Sequence, residues 1–177
     1  MAMTQIGSPE VASGASDVIF DSNINSTYKT YIFKIHTMHP SSSGVKFEFQ
    51  ANVSGASGYN EAMITTYFRT YSTDDGVGRA FGFSTGDAQS GTAFQPLSHG
   101  TCSGSTCATS GELWLFNPSN TYYVKHFHSR FSQMGNTAIQ DDYAAGFFDV
   151  TGAINAVKFQ TTSGTFDGTI TMYGMGE

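Results

Sequence analysis

The stretch 153–174, AINAVKFQTTSGTFDGTITMYG, decides the fold class of this chain. Val157 and Phe159 stand two residues apart in its first half, and Ile170 and Met172 do the same in its second half. Apolar residues at every second position predict β-strands with one buried face. The Gly and Asp residues between the two runs supply the backbone conformations of a tight turn. The stretch therefore predicts a β-hairpin at the end of the chain.

The same period of two recurs along the rest of the sequence. The clearest case is 45–53, VKFEFQANV, where apolar and polar residues alternate over the whole segment. Other strands are expected at 17–20, 29–38, 63–71, 93–97, 112–116, 122–131, 143–150, 156–161 and 169–173. No pattern of helical period lies between them, and clusters of Gly, Ser and Pro mark the turns. We therefore predict an all-β protein of about ten strands with almost no helix, folded as a two-sheet antiparallel β-sandwich.

The composition agrees with a single β domain. The chain has 177 residues, of which 12% are charged and 14% aromatic, and it contains 20 glycines. A chain of this length buries a full core without metals or cross-links. We expect one sandwich domain over 15–177, with long surface loops at 74–111. The segment 1–14 has the character of an N-terminal arm, a kind of segment that often orders only against a neighbouring molecule.

The net charge of −6 argues against two classes of partner. A chain with 14 acidic and 8 basic residues and no basic cluster gains nothing from releasing the counterions of nucleic acid. The same sign disfavours an anionic membrane surface. The segment 1–10 lacks the basic and apolar regions of a signal peptide, and no apolar run approaches the roughly 20 residues of a membrane span. We expect a chain made in the cytoplasm, without nucleic-acid or membrane partners.

Motifs for catalysis are weak in this sequence. The string GFSTG at 82–86 matches the G-x-S-x-G pattern of hydrolases. That pattern needs a strand-to-helix turn that lifts the serine hydroxyl, and the residues that follow, 87–91, have no helical pattern. The acidic pairs at 74–75 and 141–142, which we expect in loops, lack the ligand spacing of a calcium loop, and no two strand carboxylates are placed as general acid and base. The sequence therefore predicts no enzyme activity and no cofactor.

His126 and His128 are the candidate metal ligands. Residues i and i+2 of a strand point the same way, so the two imidazoles share one face. His-x-His pairs occur in jelly-roll metalloenzymes, but the Glu expected a few residues later is absent from 129–132, SRFS. Arg130 continues the same face, and its positive charge opposes metal binding. We therefore favour the alternative, a polar strand face that is exposed or lies at an interface.

The two cysteines, Cys102 and Cys107, lie close together in the segment HGTCSGSTC. A disulfide between them would close a short ring and contribute about 2 kcal/mol on the chain-entropy estimate. Synthesis in a reducing cytoplasm favours two free thiols. The bridged alternative remains open, because a protein that later reaches an oxidising medium could form the disulfide there.

Two strand segments are apolar on both faces, 112–116, ELWLF, and 144–148, AAGFF. A strand of a two-sheet sandwich meets the core with only one face. The other face must be covered by a loop or by another subunit, and we favour a subunit because the chain carries few charges. The candidate subunit-interface residues are Trp114, Phe116, Phe147 and Phe148.

Several segments resemble a family of small virion proteins of tailed bacteriophages, particularly those of marine and freshwater cyanophages. The segment 153–174 is similar to the family ending SAINAI-F…SG…GTI-LYG, and 111–119, GELWLFNPS, is similar to its G-L-LFNPSS segment. Further similar segments, in chain order, are 45–49, 124–127 and 143–147. The resemblance covers 17–175, while the cysteine-bearing segment and the last three residues depart from the family pattern.

The resemblance implies a small, jelly-roll-like β-sandwich of the virion. Because a free-standing chain of this length lacks the shaft of a tail fibre, we expect a capsid decoration or cement protein. Such a protein would be a homotrimer that binds the major capsid protein or another virion protein and bridges capsomers. The alternative is a tail-associated receptor- or glycan-binding protein that stacks sugar rings on Tyr122, Tyr123 or Tyr143.

Overall fold

The computed structural model describes residues 2–135 and 137–176. In this part of the chain there are strands, turns and loops, but no helix. The strands, in chain order, are β1 Met3–Ala15, β2 Asp17–Phe20, β3 Thr30–Pro40, β4 Phe47–Val53, β5 Met63–Thr73, β6 Arg79–Phe83, β7 Ser90–Gly91, β8 Gln95–Pro96, β9 Thr109–Phe116, β10 Lys125–Met134, β11 Ala138–Phe148, β12 Ile154–Thr161 and β13 Phe166–Met175. The prediction of an all-β protein is confirmed.

The strands form two antiparallel sheets that pack together. The large sheet has nine strands, in the order β1-β13-β3-β9-β10-β11-β5-β6 with β7 also paired to β5. The small sheet has four strands, in the order β2-β12-β4-β8. The chain crosses between the sheets several times, since β2, β4, β8 and β12 are each followed by a strand of the large sheet. The predicted two-sheet sandwich is confirmed, with more strands than the about ten expected from the pattern.

The core lies between the sheets and is rich in aromatic rings. Phe159 of β12 is at its centre, with ring centroids 5.4 Å from Phe33 of the large sheet and 5.8 Å from Phe47 of its own sheet. Phe49 meets Phe127 of the large sheet edge-on, with 5.0 Å between the centroids. Such pairs add favourable ring contacts to the burial of apolar area. They also fix which side of each strand faces inward, and the alternate residues then face outward.

The two C-terminal strands do not form the predicted hairpin. β12 lies in the small sheet between β2 and β4, whereas β13 lies in the large sheet between β1 and β3. Both strands bury their apolar residues in the same core, and they reach it from opposite sides. The connection 162–165 is long enough to cross between the sheets, because packed sheets are roughly 10 Å apart and an extended residue covers about 3.3 Å. Alternation predicted the two strands correctly, but the prediction of their pairing was wrong.

The N-terminal segment also differs from the prediction. Met1 lies outside the described residues, as does Glu177 at the end of the predicted domain, and residues 3–14 of the arm belong to β1. β1 pairs antiparallel with β13 of the same chain, so the segment forms an edge strand of the large sheet. Most of its side chains are exposed on both faces, and Ala12 is its one fully buried residue. A strand held mainly by backbone hydrogen bonds has no apolar alternation by which the sequence would reveal it.

Loops cover the outer face of β4 in the small sheet. Nε2 of Gln50 on β4 donates to the carbonyl oxygens of Glu61, at 3.0 Å, and Thr92, at 3.1 Å. Oδ1 of Asn52 accepts a hydrogen bond from the backbone N–H of Tyr59 at 2.6 Å. The outward polar side chains of β4 are therefore buried under the loops that follow β4 and β7. The predicted surface loops at 74–111 thus include three short strands, β6 to β8, and the loop after β7 that covers part of β4.

Candidate functional site

The outer face of the large sheet is set by the alternation of side chains along β10. His126, His128 and Arg130 point outward and are exposed, while the residues between them are buried in the core. Residues directly opposite each other on paired strands share a face. His128 is opposite Trp114 of β9 and Ala145 of β11, which therefore also face outward. We name this outer surface the open face, and its large side chains are Phe68, Glu112, Trp114, Phe116, His126, His128, Arg130, Asp141, Tyr143 and Phe147.

One half of the open face is aromatic. The ring of Trp114 stacks on His128 with 5.7 Å between centroids, and Phe116 lies 5.4 Å from the same imidazole. His126 packs beside Phe147 at 5.7 Å. Each histidine thus has its own aromatic neighbours, although the two share a strand face. Among residues 2–135 and 137–176 no group of three or more His, Cys, Asp or Glu side chains could hold a metal ion.

The other half of the open face holds a row of planar groups. Arg130 donates from Nε and Nη2 to the carboxylate of Asp141, with the shortest bond at 2.7 Å, and these bonds raise the pKa of Arg130. Its guanidinium lies 5.3 Å from the ring centroid of Tyr143. Phe68, on the strand beyond, stacks on Tyr143 at 4.7 Å. Neighbours therefore occupy both faces of the Tyr143 ring, and a sugar ring cannot stack there as the sequence had suggested.

Two depressions lie side by side on the open face. One, of about 470 Å³, is lined by Lys34 and other residues of β3 and β9, and the second, of about 340 Å³, is lined by Phe68 and His128. Glu112 and Arg130 line both depressions and form the ridge between them. Apolar walls beside a few fixed charges are typical of a protein–protein contact surface.

Phe148 does not belong to the open face. It is 0% exposed, and its ring lies 5.4 Å from that of Phe127 in the core. Neighbouring residues of a strand point to opposite faces, so Phe147 faces outward and Phe148 faces inward. The prediction of Phe148 as an interface residue is therefore wrong. Trp114, Phe116 and Phe147 are half-buried on the open face and remain candidates.

The other two tyrosines that the sequence suggested for sugar binding lie apart from the open face. Tyr122 and Tyr123 are in the loop 117–124 between β9 and β10, where they are 76% and 66% exposed. Their ring centroids are 4.7 Å apart and the rings are nearly perpendicular. The structure thus separates Tyr143 from this pair.

A second polar cluster lies beside the small sheet and includes the serine of the GFSTG string. The buried carboxylate of Asp87 accepts hydrogen bonds from Ser84, from Nζ of Lys46 and, at 2.7 Å, from Nδ1 of His99. Burial alone would raise the pKa of Asp87, but these bonds outweigh it and hold the pKa well below its usual range. The hydroxyl of Ser84 donates to a carboxylate and not to an imidazole base, and a turn follows it instead of a helix. These hydrogen bonds therefore hold the segment 84–99, which includes β7 and β8, against Lys46 beside the small sheet.

Asp142 lies beside this cluster and is fully buried. Its Oδ2 accepts the backbone N–H of His99 at 3.2 Å, while its Oδ1 has no hydrogen-bond partner in the part of the chain that the structure describes. Burial raises the pKa of Asp142 to about 6. Burial, together with the nearby charge of Asp142, also raises the pKa of Tyr67 above its usual value. The acidic pair 141–142, which the sequence placed in a loop, lies on β11 with one carboxylate on each face.

Cys102 and Cys107 form a disulfide, with their Cα atoms 5.7 Å apart. The structure therefore has the bridged alternative and not the free thiols that the sequence analysis favoured. The backbone oxygen of Cys107 lies 2.7 Å from Nδ1 of His39, which ties the small ring to the end of β3. The bridge stabilises a loop and contributes no group to the open face.

Comparison of the chain with models of known protein families gives no match, and comparison with curated proteins gives no significant match. Across residues 2–135 and 137–176 the structure has no helix with the length and apolar character to cross a membrane. The functional conclusion therefore depends on the geometry of the open face and on the resemblance of the sequence segments.

Proposed function

We propose that this protein is a structural component of a bacteriophage virion, a capsid decoration protein that stabilises the shell by bridging capsomers. The observation that carries this proposal is the aromatic open face, with Trp114, Phe116 and Phe147 half-buried above a core that is already full. Such a face is costly in water, whereas a partner laid on it removes apolar area from solvent. The resemblance to small virion proteins supplies the setting in which many copies would make this contact.

The β1 edge of the large sheet is poorly suited to pairing with a strand of another chain. β1 is the long edge strand, but its register with β13 shifts between Ile6 and Glu10 and again between Ala12 and Ala15. It also contains Pro9, which has no N–H to donate to a further strand. Bulges and Pro at an edge discourage strand addition by another chain. The face of the sheet, and not its β1 edge, is therefore the surface that we assign to contact.

We propose that the open face meets a second copy of the chain in a homotrimer, which then binds the major capsid protein. A closed ring of three joins one patch of each copy to a different patch of the next. Phe81 and Phe83 lie opposite Thr70 and Phe68, at the edge of the same face; they are 67% and 75% exposed and offer an apolar second patch at that end of the open face. Light scattering on the purified protein should give three times the chain mass of 19.0 kDa.

The virion role can be tested with particles that lack this protein. Many weak contacts with the intact shell stabilise it by mass action, so depleted particles should release DNA at a lower temperature than complete ones. Adding the wild-type protein should restore heat resistance, and adding the double variant Trp114→Ser/Phe147→Ser should not. Val11→Ser, which changes a 72% exposed residue of β1, is the matched control and should restore it.

A tail-associated receptor-binding protein is the second candidate. The observation that favours it is the exposed pair Tyr122 and Tyr123, which the open face does not explain. If depleted particles keep their heat resistance and fail to adsorb to host cells, the decoration role is wrong and the tail role takes its place.

A further inference from the structure

The edge of the large sheet opposite β1 is formed by β6, whose outer side pairs with no strand in the part of the chain that the structure describes. β6 contains no Pro, and its pairing with β5 runs from Arg79 to Phe83 without a shift of register. Four of its five residues are exposed, so no loop covers it. A regular edge strand without a bulge or Pro is a template for pairing with a strand of another chain.

The hydrogen bonds at the two ends of β6 show which of its backbone groups are free. At one end, the N–H of Ser84 donates to the carbonyl oxygen of Tyr67 at 3.1 Å. At the other end, the N–H of Thr73 donates to the carbonyl oxygen of Gly78 at 2.8 Å. Hydrogen-bonded and non-hydrogen-bonded positions alternate along an antiparallel pair. The even-numbered residues of β6 therefore bond to β5, and the odd-numbered residues direct their N–H and C=O groups away from the sheet.

The odd-numbered residues of β6, Arg79, Phe81 and Phe83, match the same residues of a second copy. When two β6 strands pair antiparallel about a two-fold axis at Phe81, Arg79 lies opposite Phe83 of the second copy, and the two Phe81 residues lie opposite each other. Each hydrogen-bonded pair of an antiparallel ladder exchanges two bonds, so this register satisfies the free groups of all three residues in both copies. A strand shifted by two residues would leave some of these groups without a partner.

The side chains of β6 agree with this register. Arg79, Phe81 and Phe83 lie on the side of the sheet that carries the open face, and Ala80 and Gly82 lie on the other side. A guanidinium group opposite an aromatic ring is attracted by the face of the ring, and two phenylalanines opposite each other remove apolar area from water. Ala80 and Gly82 are too small to obstruct a second strand. The pairing places no two like charges opposite each other.

We propose that β6 is a second assembly surface, which pairs antiparallel with β6 of a second copy in the register centred on Phe81. The two large sheets then form one continuous sheet with both open faces on the same side, since residues opposite each other on paired strands share a face. The open faces stay accessible, so the edge contact goes beyond the proposed role of the open face and does not depend on it. Five residues per strand make a weak contact, which gains strength where many copies lie on one surface.

The pairing predicts that the particle mass doubles as the purified protein is concentrated, whether the unit that doubles is a monomer or a trimer. Phe81→Lys places two ammonium groups opposite each other at the two-fold axis, and Phe81→Glu places two carboxylates there. Either variant should raise the concentration needed for doubling about tenfold or more in light scattering. An equal mixture of the two variants should double again, because each lysine then lies opposite a glutamate.

Val77→Lys is the matched control, because it adds the same charge at an 83% exposed residue just before β6. It should double like the wild type. Amide hydrogen exchange followed by NMR reports the backbone contact itself. The N–H groups of Arg79, Phe81 and Phe83 should exchange more slowly once the mass doubles, whereas a contact through the side chains of the open face would leave their exchange unchanged.

Three results would overturn the proposal. They are a wild type that does not double at millimolar concentration, a Phe81→Lys variant that doubles like the wild type, and a mixture that doubles no better than either variant alone. Trp114→Ser/Phe147→Ser separates the edge contact from the open face. It should lose the trimer and still double, so a trimer that persists in it contradicts only the role of the open face, and a loss of doubling in it contradicts the edge contact.

Discussion

The two outer faces of the sandwich differ in a way that their sequences do not suggest. β4 of the small sheet alternates cleanly between apolar and polar residues, yet both of its faces are buried, because loops bond to Gln50 and Asn52. β9 of the large sheet has Trp114 and Phe116 where an exposed strand would have polar residues, yet these side chains remain half-open to solvent. The polar face is covered and the aromatic face is not.

The difference between the faces agrees with the two roles that we propose for them. A polar outward face can be covered by a loop of its own chain, because its side chains satisfy the carbonyl and N–H groups that the loop brings with it. An aromatic outward face offers no such partners to a loop, and a rigid apolar surface covers it better. We therefore connect the covered face with stability and the open face with the assembly role that we propose. The predictions below separate these two roles by their effects on the free energy of unfolding.

The largest loss of stability is expected when the carboxylate of Asp87, which holds the segment 84–99 in place, is removed. Asp87→Ala leaves Lys46, Ser84 and His99 without their common acceptor. We expect a loss of about 3 kcal/mol in the free energy of unfolding, measured by urea denaturation at pH 7. Asp74→Ala, at an exposed acidic residue, should change it by less than about 0.5 kcal/mol. Equal losses of stability in the two variants would show that the hydrogen bonds of Asp87 do not hold the segment 84–99 in place.

A smaller loss of stability is expected when a polar side chain on the outer face of β4 is replaced. Gln50→Leu keeps the size of the side chain but leaves the carbonyl oxygens of Glu61 and Thr92 without a donor. Burial of unsatisfied acceptors should cost about 2 kcal/mol. Amide hydrogen exchange should speed up in the covering loops before it does in β9 and β10. A variant as stable as the wild type would mean that the loops are held by other contacts.

Asp142→Asn is expected to stabilise the protein at neutral pH. Burial raises the pKa of Asp142 to about 6, whereas an unfolded Asp has a pKa of about 3.9. Between these values the folded state binds the proton more tightly, so stability falls as the pH rises from about 4 to about 6, and the cost is fully present above that range. Tyr67, His99 and Arg69 are the titratable and charged groups that face this carboxylate.

The neutral amide removes that cost. The free energy of unfolding of Asp142→Asn should exceed that of the wild type by on the order of 1–2 kcal/mol at pH 7. It should no longer fall as the pH rises from 4 to 6. Thermal unfolding followed across this pH range measures both. A slope that persists in the variant would assign the titration to another group.

The smallest effect on folding is expected for the open face. Trp114→Ser/Phe147→Ser removes two partly buried side chains that pack on other rings of the open face and not in the core, so the monomer should lose on the order of 1 kcal/mol. The same variant should fail to form the trimer in light scattering. A large loss of stability in the monomer would show that the open face belongs to the folding core, and the contrast between the two faces would then disappear.

The sequence predicted the elements of this fold better than their pairing. Alternation shows which residues of a strand share a face, and it therefore located β3, β4 and β12. It carries no information on which strand lies alongside, so β12 and β13 were wrongly paired. β1 was missed because it exposes both faces, and Phe148 was misassigned because adjacent apolar residues do not reveal which of them faces the core.

The polar clusters could not be predicted from the sequence. Lys46 and Asp87 are 41 residues apart, and only the folding of the covering loop brings them together. The buried state of Lys125 was hidden as well, because its three acceptors are backbone carbonyls that any sequence supplies. The aromatic open face, by contrast, was visible in the segments 112–116 and 144–148, since apolar residues on both faces of a strand require a second contact.

Trp114 offers the most direct test of the assembly role, because it is the single tryptophan of the chain and lies on the open face. Its fluorescence can be followed, with acrylamide as quencher, as the purified protein is concentrated from monomer to oligomer. If the open face is the contact surface, quenching should fall and the emission should shift to shorter wavelength at the concentration where light scattering reports the trimer. A trimer that forms while Trp114 stays equally accessible to acrylamide would contradict the assignment of the open face to assembly.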